Sequence, residues 1–406
     1  MSTGARAVVV GGGVLGLSAA LHLLRAGVRE CTVLERDGVA QGTSAAGAGF
    51  LDTWPLGSPE GEAGAEEVAL AEYGIEFYRE LGALRPQAPF RQRGSVWIAA
   101  TERDWPSVER RLVEGPPDAR VLEPAEIEAI TAGVVRADAV HRGVLRPRSA
   151  QISAEKMTRA LASVFVEEGG RLAERTPATG FELDGAGRVS AVRTARGGFE
   201  ADVVVLAAGA WTNALLEPLG AFVAQAPVGL SRIVTGPLGI PADLPLLLLK
   251  ALDSGLGRAI WIREENGGLL FGANYEAPSR LEYVADGVPE RFDQTALDGV
   301  LEVRRAVATL TDAIPALGQF DGFRVGHGAP CYTTDGRAIV GPLPGIENLH
   351  VLAGCNELGV TYGPGFGRVL AERITAGGSE LADAGVWSPE RFGPGLDSER
   401  AVAEAL

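Results

Sequence analysis

The chain has 406 residues, 46% of them apolar, enough material for two separate cores. Its 37 Lys plus Arg against 52 Asp plus Glu give a formal charge of −15, which disfavours a nucleic-acid backbone or an anionic membrane as partner. The three cysteines, Cys31, Cys331 and Cys355, form no CxxC pair, so neither a disulfide framework nor a metal site is expected, and a reducing cytoplasm suits the composition.

No segment is expected to span a membrane. The apolar stretch from Ala7 to Leu24 is broken by glycines and by His22, "PLLLLKAL" (245–252) is too short, and the start of the chain lacks a signal-peptide pattern. Ala7 to Val10 instead predicts a buried parallel strand. A helix with Leu17, Leu21 and Leu24 on one side follows and stops near Gly27, and a second strand, Cys31 to Leu34, ends at Glu35. The turn inside this β-α-β unit is Gly11-Gly12-Gly13-Val14-Leu15-Gly16, a G-x-G-x-x-G. Gly11 permits the tight turn, Gly13 lets backbone meet a pyrophosphate, and Gly16 lets helix and strand pack closely. Val14 and Leu15 open the helix, whose N-terminus favours an anion. Glu35, 24 residues after Gly11, stands where a carboxylate can hydrogen-bond a ribose.

Further along, helices are expected near 62–81, 153–168 and 293–312. "RGSVWIAA" (93–100), 257–276 and 323–334 alternate and carry aromatics, which predicts antiparallel or mixed sheet. "ADVVVLAAGAW" (201–211) and "ENLHVLAG" (347–354) are short apolar runs ending in small residues, the pattern of parallel strands whose carboxyl ends face a ligand. The second leads into "GCNELGVTYGPGFG" (354–367), a glycine-rich turn with the carboxylate of Glu357 in its middle and a helix beginning near Gly363-Pro364. The expected fold is mixed α/β. A Rossmann-like lobe (1–85, 150–225 and 325–385) interleaves with a second lobe on a mixed, largely antiparallel sheet (86–149 and 226–324), and a loosely packed tail follows (386–406).

With "ERDGVAQGTSAAGAGF" (35–50), "ADVVVLAAGAWTNALLEPLG" (201–220) and "TTDGRAIVGPLPGIENLHVLAGCNELGVTYGPGFGRVLAERI" (333–374), the sequence resembles the D-amino acid oxidase-like family of FAD-dependent oxidoreductases, which includes sarcosine oxidase, glycine oxidase and D-amino acid dehydrogenase. The resemblance implies a non-covalent FAD. It sets the pyrophosphate at Gly11, Gly13 and Gly16, the ribose at Glu35, and the phosphate and ribityl chain at Arg36, Thr43 and Ser44. Ala46 and Gly47 would approach the isoalloxazine, Pro177 the adenine, and Ala208, Gly209 and Trp211 would form a return turn. Gly354, Leu358, Gly359, Val360 and Thr361 would meet the pyrimidine edge, where backbone N–H groups can stabilise the negative charge of reduced flavin.

The implied reaction is hydride transfer from the C–N carbon of a small amine or amino-acid-derived substrate to flavin, giving an imine that hydrolyses to a carbonyl compound. O2 or another acceptor would take the electrons, and the oligomeric state stays open. No catalytic base is assigned. The substrate-pocket candidates are Glu357, Arg263, His327, Trp261 and Tyr275, with Glu357 read equally as a pocket carboxylate favouring a cationic or hydrogen-bond-donating substrate end, or as turned to solvent or paired with an arginine. Arg263 is read equally as a pocket cation or a solvated strand residue, and His327 as a structural histidine or an acid–base group. His22 has no evident partner.

The sequence departs from the family at several points. Where family members that act on free amino acids keep carboxylate-binding arginines, this chain has Pro330 and Glu357. Thr361 stands where another member keeps a lysine in the turn. Leu270, in Gly268-Leu269-Leu270-Phe271-Gly272, replaces an oxygen-activating lysine, and Cys331 lies only four residues before Asp335, out of register for a covalent flavin link. Two other readings stay open: an NAD(P)H-dependent flavin monooxygenase, and a flavoprotein subunit of a heteromeric amine dehydrogenase.

Overall fold

The computed structural model describes residues 5–53, 64–113, 116–250, 259–273, 287–292, 303–305 and 307–406. Among them the strands form two principal sheets that share one chain. The first has six strands in the spatial order Ile339–Leu343, Ile346–Ala353, Val203–Leu206, Arg6–Val10, Glu30–Leu34 and Arg171–Ala173. All neighbours run parallel except the first pair, which is antiparallel. The strand Arg6–Val10 explains why the sheet must be covered twice. Ala7 and Val9 join a core shared with the helices Val14–Arg25, Ala65–Leu84, Ala154–Glu167 and Gly359–Ala376, while Val8 and Val10 join a core on the opposite face. There a three-stranded sheet (Ala178–Leu183, Val189–Thr194, Gly197–Glu200) lays Phe181 and Val192 against them. Continuous valines therefore suit a strand buried on both sides.

The second sheet has eight strands in the order Phe323–Gly328, Leu230–Thr235, Gly268–Ala273, Ala259–Glu265, Leu246–Lys250, Ser95–Ala99, Arg142–Arg146 and Arg120–Leu122. Its neighbours are antiparallel except Leu246–Lys250 with Ser95–Ala99, which run parallel. "PLLLLKAL", notable in the sequence only as too short for a membrane, thus supplies a central strand. Leu247 and Leu249 face one core, Leu246 and Leu248 another. The strand Phe323–Gly328 crosses residue 325, where the sequence reading set a lobe boundary.

Helix contacts bring the first helix, Val14–Arg25, against the closing helix, Gly359–Ala376. The approach is close because Gly367 has no side chain: a Cβ there would lie 2.5 Å from the Ser18 carbonyl carbon. The closing helix begins at Gly359, four residues before the expected start, so Pro364 lies inside it. Proline has no N–H to offer the carbonyl of Val360, four residues earlier. The Tyr78 hydroxyl donates to that carbonyl instead, at 2.8 Å.

Two expectations are corrected. The segment after residue 386 is not loose: Trp387 and Val402 are fully buried, and Arg391 grips Asp335 through both carboxylate oxygens at 2.6 and 3.0 Å. His22 is buried and fully partnered. Its Nδ1 donates to the Ser18 carbonyl at 2.6 Å, which leaves Nε2 to accept from the Tyr73 hydroxyl at 2.7 Å. No helix among the described residues is long and apolar enough to cross a membrane.

Candidate dinucleotide and substrate site

At the carboxyl ends of the parallel strands lies a cavity of about 380 Å³. Its walls come from the turn after the first strand, the segment 35–47, the turn after Val203–Leu206, residues 329–331 and the glycine-rich turn into the closing helix. Two helices, of 12 and 18 residues, begin at this cavity, Val14–Arg25 and Gly359–Ala376. The first-turn N–H groups of a helix have no intrahelical partner and carry partial positive charge.

Most of the residues singled out in the sequence line this space: Gly11, Gly13, Val14, Leu15, Glu35, Arg36, Thr43, Ser44, Gly47, Pro177, Ala208, Gly209, Trp211, Gly354, Glu357, Gly359 and Val360. Glu35 accepts the Gly12 N–H at 2.7 Å and the Asp37 N–H at 2.9 Å. Burial nevertheless raises its carboxyl above the ordinary range, against the pull of those two donors. The Ser44 hydroxyl accepts from the Val14 N–H at 3.0 Å, tying the second turn to the first. The Arg36 guanidinium lies 4.3 Å from the centre of the Trp211 ring and pairs with Asp37. Trp211 Nε1 is buried with no hydrogen-bond partner among the described residues, a donor on a cavity-lining residue.

Four expected lining residues point elsewhere. Gly16 does the packing half of its motif: a Cβ there would meet the Gly11 carbonyl oxygen at 2.0 Å. The Thr361 hydroxyl donates to the Phe50 carbonyl at 3.0 Å, Leu358 caps the closing helix and packs on the core, and Ala46 packs beside Gly328. Along Ala259–Glu265, side chains alternate. Ile260 and Ile262 enter the core under the second sheet, and Trp261 and Arg263 face the 45–50 segment. Trp261 packs edge-on against Phe50 with ring centres 5.7 Å apart, and Arg263 is buried, bonded to the Ala48 carbonyl at 2.6 Å and paired with Glu265. Neither lines the cavity. His327 Nδ1 meets the Ser231 hydroxyl at 2.9 Å outside the cavity, and desolvation lowers its ring below the usual histidine value. Tyr275 lies outside the described residues.

Three connections were missed in the sequence. Arg232 donates to the carbonyls of Gly47, at 3.0 Å, and Ala45. With Arg263 on Ala48, two arginines of the second sheet therefore hold three carbonyls of the cavity-facing turn. Fully buried Gln225 donates to the Gly209 carbonyl at 3.1 Å and accepts from the Gly354 N–H at 2.8 Å, bridging two cavity turns. Asn356 accepts from the Thr333 N–H at 3.0 Å and donates to the Gly354 carbonyl at 2.7 Å. Cys331 and Cys355 line the cavity, but burial pushes both thiols up, Cys355 to about 12, so neither is a thiolate at neutral pH.

Glu357 takes a hydrogen bond from the Tyr332 hydroxyl and lines the cavity, with its side chain exposed. Protein surrounds the carboxyl at longer range and pushes it up to about 7 by desolvation. The donor set fits a dinucleotide: two helix N-termini for anionic groups, a carboxylate at the end of the second strand for a ribose, and narrow glycine turns between them.

The sequence pattern of the FAD dependent oxidoreductase family, DAO, matches residues 6–373. A glycine oxidase of Pseudomonas aeruginosa is 30% identical over 404 residues, covering 95% of this chain and 98% of that protein. The mitochondrial dimethylglycine dehydrogenase of Rattus norvegicus is 25% identical over 413 residues, covering 99% of this chain but 46% of its own length, so the chain spans about half the length of the first curated relatives it matches. An L-proline dehydrogenase from P. horikoshii superposes with a TM-score of 0.78 at 20% identity, covering 97% of this chain and 98% of that one. With the family pattern running through both sheets and through both walls of the cavity, the chain belongs to the DAO family of FAD-dependent oxidoreductases.

Proposed function

We propose that this protein oxidises a C–N bond in a small amine or amino-acid-derived substrate with FAD, giving an imine that water hydrolyses to a carbonyl compound. The observation that carries the reading is the convergence of two helix N-termini, Glu35 and the glycine turns on one cavity. Bound FAD supplies the hydride acceptor. The first helix and the turn at Gly11 and Gly13 would hold the pyrophosphate, Glu35 would take the ribose, and Pro177 and Gly47 would line the space for the adenine and the ring system. The N–H groups at the start of the closing helix, near Gly359 and Val360, would balance negative charge that develops on the reduced flavin. The chemistry needs a neutral amine when hydride leaves, and no base is required if the neutral form binds.

Under the same reading, 1–85, 150–225 and 329–385 form the FAD lobe, and 86–149 and 226–328 the substrate lobe, the boundary moved from 325 so that the strand Phe323–Gly328 stays in its sheet. Electrons pass on to O2 or another acceptor in a cytoplasmic setting. The test is anaerobic mixing of the yellow holoprotein with a panel of amines, amino acids and N-substituted glycines, followed by O2. Bleaching by at least one C–N substrate is expected. A protein that binds no FAD, or whose flavin is reduced by NADPH and by no amine, overturns the proposal.

A further inference from the structure

The carboxylate in the glycine-rich turn is held there at a conformational penalty. Asn356 and Glu357 are consecutive non-glycine residues with positive φ, 47° and 68°. Asparagine tolerates that region, and here its side chain is fixed by Thr333 and Gly354. Glutamate has no such local compensation, and glycine would adopt the same backbone without strain. A residue kept in a strained conformation where glycine would serve better points to a use for its side chain.

The surroundings say which use. Glu357 lines the cavity, and its sole hydrogen-bond partner among the described residues is the Tyr332 hydroxyl. No arginine, lysine or histidine among the described residues pairs with it. Arg36 is the one cation among the described residues lining the cavity; it stacks on Trp211 and pairs with Asp37 beside Glu35. The end of the cavity formed by 329–331 and 354–360 therefore offers one acid and no cation. Such an end repels a free carboxylate and attracts an ammonium group.

We infer that Glu357 is the recognition residue for an alkylammonium group of the substrate distinct from the neutral nitrogen whose C–N bond is oxidised, so that this enzyme selects amines with a second, cationic end and discriminates against free α-amino acids. The inference rests on the proposed C–N oxidation for its biological meaning, but ion recognition can be read without turnover. The carboxyl pushed up to about 7 agrees with it, since an approaching cation replaces the missing countercharge and draws the group into its ionised form.

The test uses the FAD-loaded full chain and two ions that cannot be oxidised there, tetramethylammonium and acetate. Binding is followed by shifts in the flavin absorption bands at pH 8. The wild type should bind tetramethylammonium and leave acetate unbound. Glu357→Gln should weaken tetramethylammonium binding at least tenfold while retaining FAD. Glu357→Gly should do the same with a melting temperature equal to or above that of the wild type, because the strained backbone is relieved. Glu357→Arg should reverse the preference toward acetate. Acetate bound in preference to tetramethylammonium by the wild type overturns the inference, as does Glu357→Gly binding the cation within twofold of the wild type. If a substituted protein loses FAD, the wild-type preference alone decides. If no amine bleaches the flavin yet the cation binds, the reaction proposed above fails and the recognition site stands; bleaching by sarcosine with no cation binding is the converse.

Discussion

The grip of Arg232 on the cavity-facing turn can be tested by replacing it with methionine, which keeps an unbranched apolar stem and removes the donors. The guanidinium donates to the part-buried Ala45 and Gly47 carbonyls, and leaving them without donors costs up to about 1–3 kcal/mol each. Against this, burial beside Arg263 holds Arg232 itself down to about 10 from 12.5, a penalty on the order of 3 kcal/mol at about 1.4 kcal/mol per pH unit. Methionine escapes that penalty, so the two effects largely offset in the apoprotein and its melting temperature should change by only a few degrees. The offset does not extend to FAD. Binding must then fix a turn that the guanidinium no longer holds, and ordering one or two backbone residues costs about 1–3 kcal/mol. At about 1.4 kcal/mol per tenfold, the Kd for FAD should rise roughly ten- to a hundredfold, measured by quenching of flavin fluorescence on titration of the apoprotein. Arg232→Lys, a point charge able to serve one carbonyl, should fall between. An FAD affinity within threefold of the wild type, combined with a large drop in melting temperature, would refute the reasoning and make Arg232 a support of the fold alone.

Other outcomes follow from the packing and the charges. Gly367→Ala puts a methyl group 2.5–2.8 Å from the backbone of Ser18 and Ala19, so the first and closing helices must part; a loss of about 1–3 kcal/mol is expected in urea titrations, and an unchanged midpoint would show the crossing to be compliant. Asp335→Asn breaks the two-pronged contact with Arg391 and should lower stability by about 1–3 kcal/mol while FAD affinity stays within a fewfold, as measured on the same sample. His22 and His350 are buried and held down to about 4 against 6.5, chiefly by desolvation. The unfolded chain therefore binds protons that the folded chain refuses below pH 6.5, and stability falls as pH drops from 6.5 toward 4, by up to about 3 kcal/mol per ring. The urea midpoint should decline between pH 7 and 5 and decline less in His350→Phe; a flat profile in the wild type would contradict the assignment.

The parts of the site that the sequence disclosed are those built from local backbone. Gly11, Gly13 and Glu35 belong to one β-α-β unit, and their spacing alone fixes what they can face. Gly359 and Val360 follow from a strand running straight into a turn. Errors began where direction mattered more than position. Gly16, Leu358 and Thr361 each sit one residue from a cavity-lining residue and face the packing instead. Arg263 lies on the correct face of its strand but reaches the turn's backbone before it reaches the cavity. Arg232 left a signal in the strand Leu230–Thr235, the one charged residue among Leu230, Ser231, Ile233, Val234 and Thr235. Gln225 left none, because its two partners lie 16 and 129 residues away and only the assembled sheets bring them together. The second sheet was legible in kind but not in order, since its single parallel pairing joins strands separated by the whole 100–245 segment.

The strand order of the six-stranded sheet also bears on how the protein is made. Arg6–Val10 is flanked by Glu30–Leu34, present almost at once, and by Val203–Leu206, whose own outer neighbour, Ile346–Ala353, comes far later. At about 5–20 residues per second, a ribosome needs roughly 15–70 s to travel from the first strand to that neighbour. During that interval the outer edge of Val203–Leu206 lacks its partner, and the apolar face of the first helix waits for the closing helix that will bury it. Aggregation during synthesis is therefore expected to depend on residues 346–376 more than on any earlier segment, and FAD can find its complete cradle only once they have emerged.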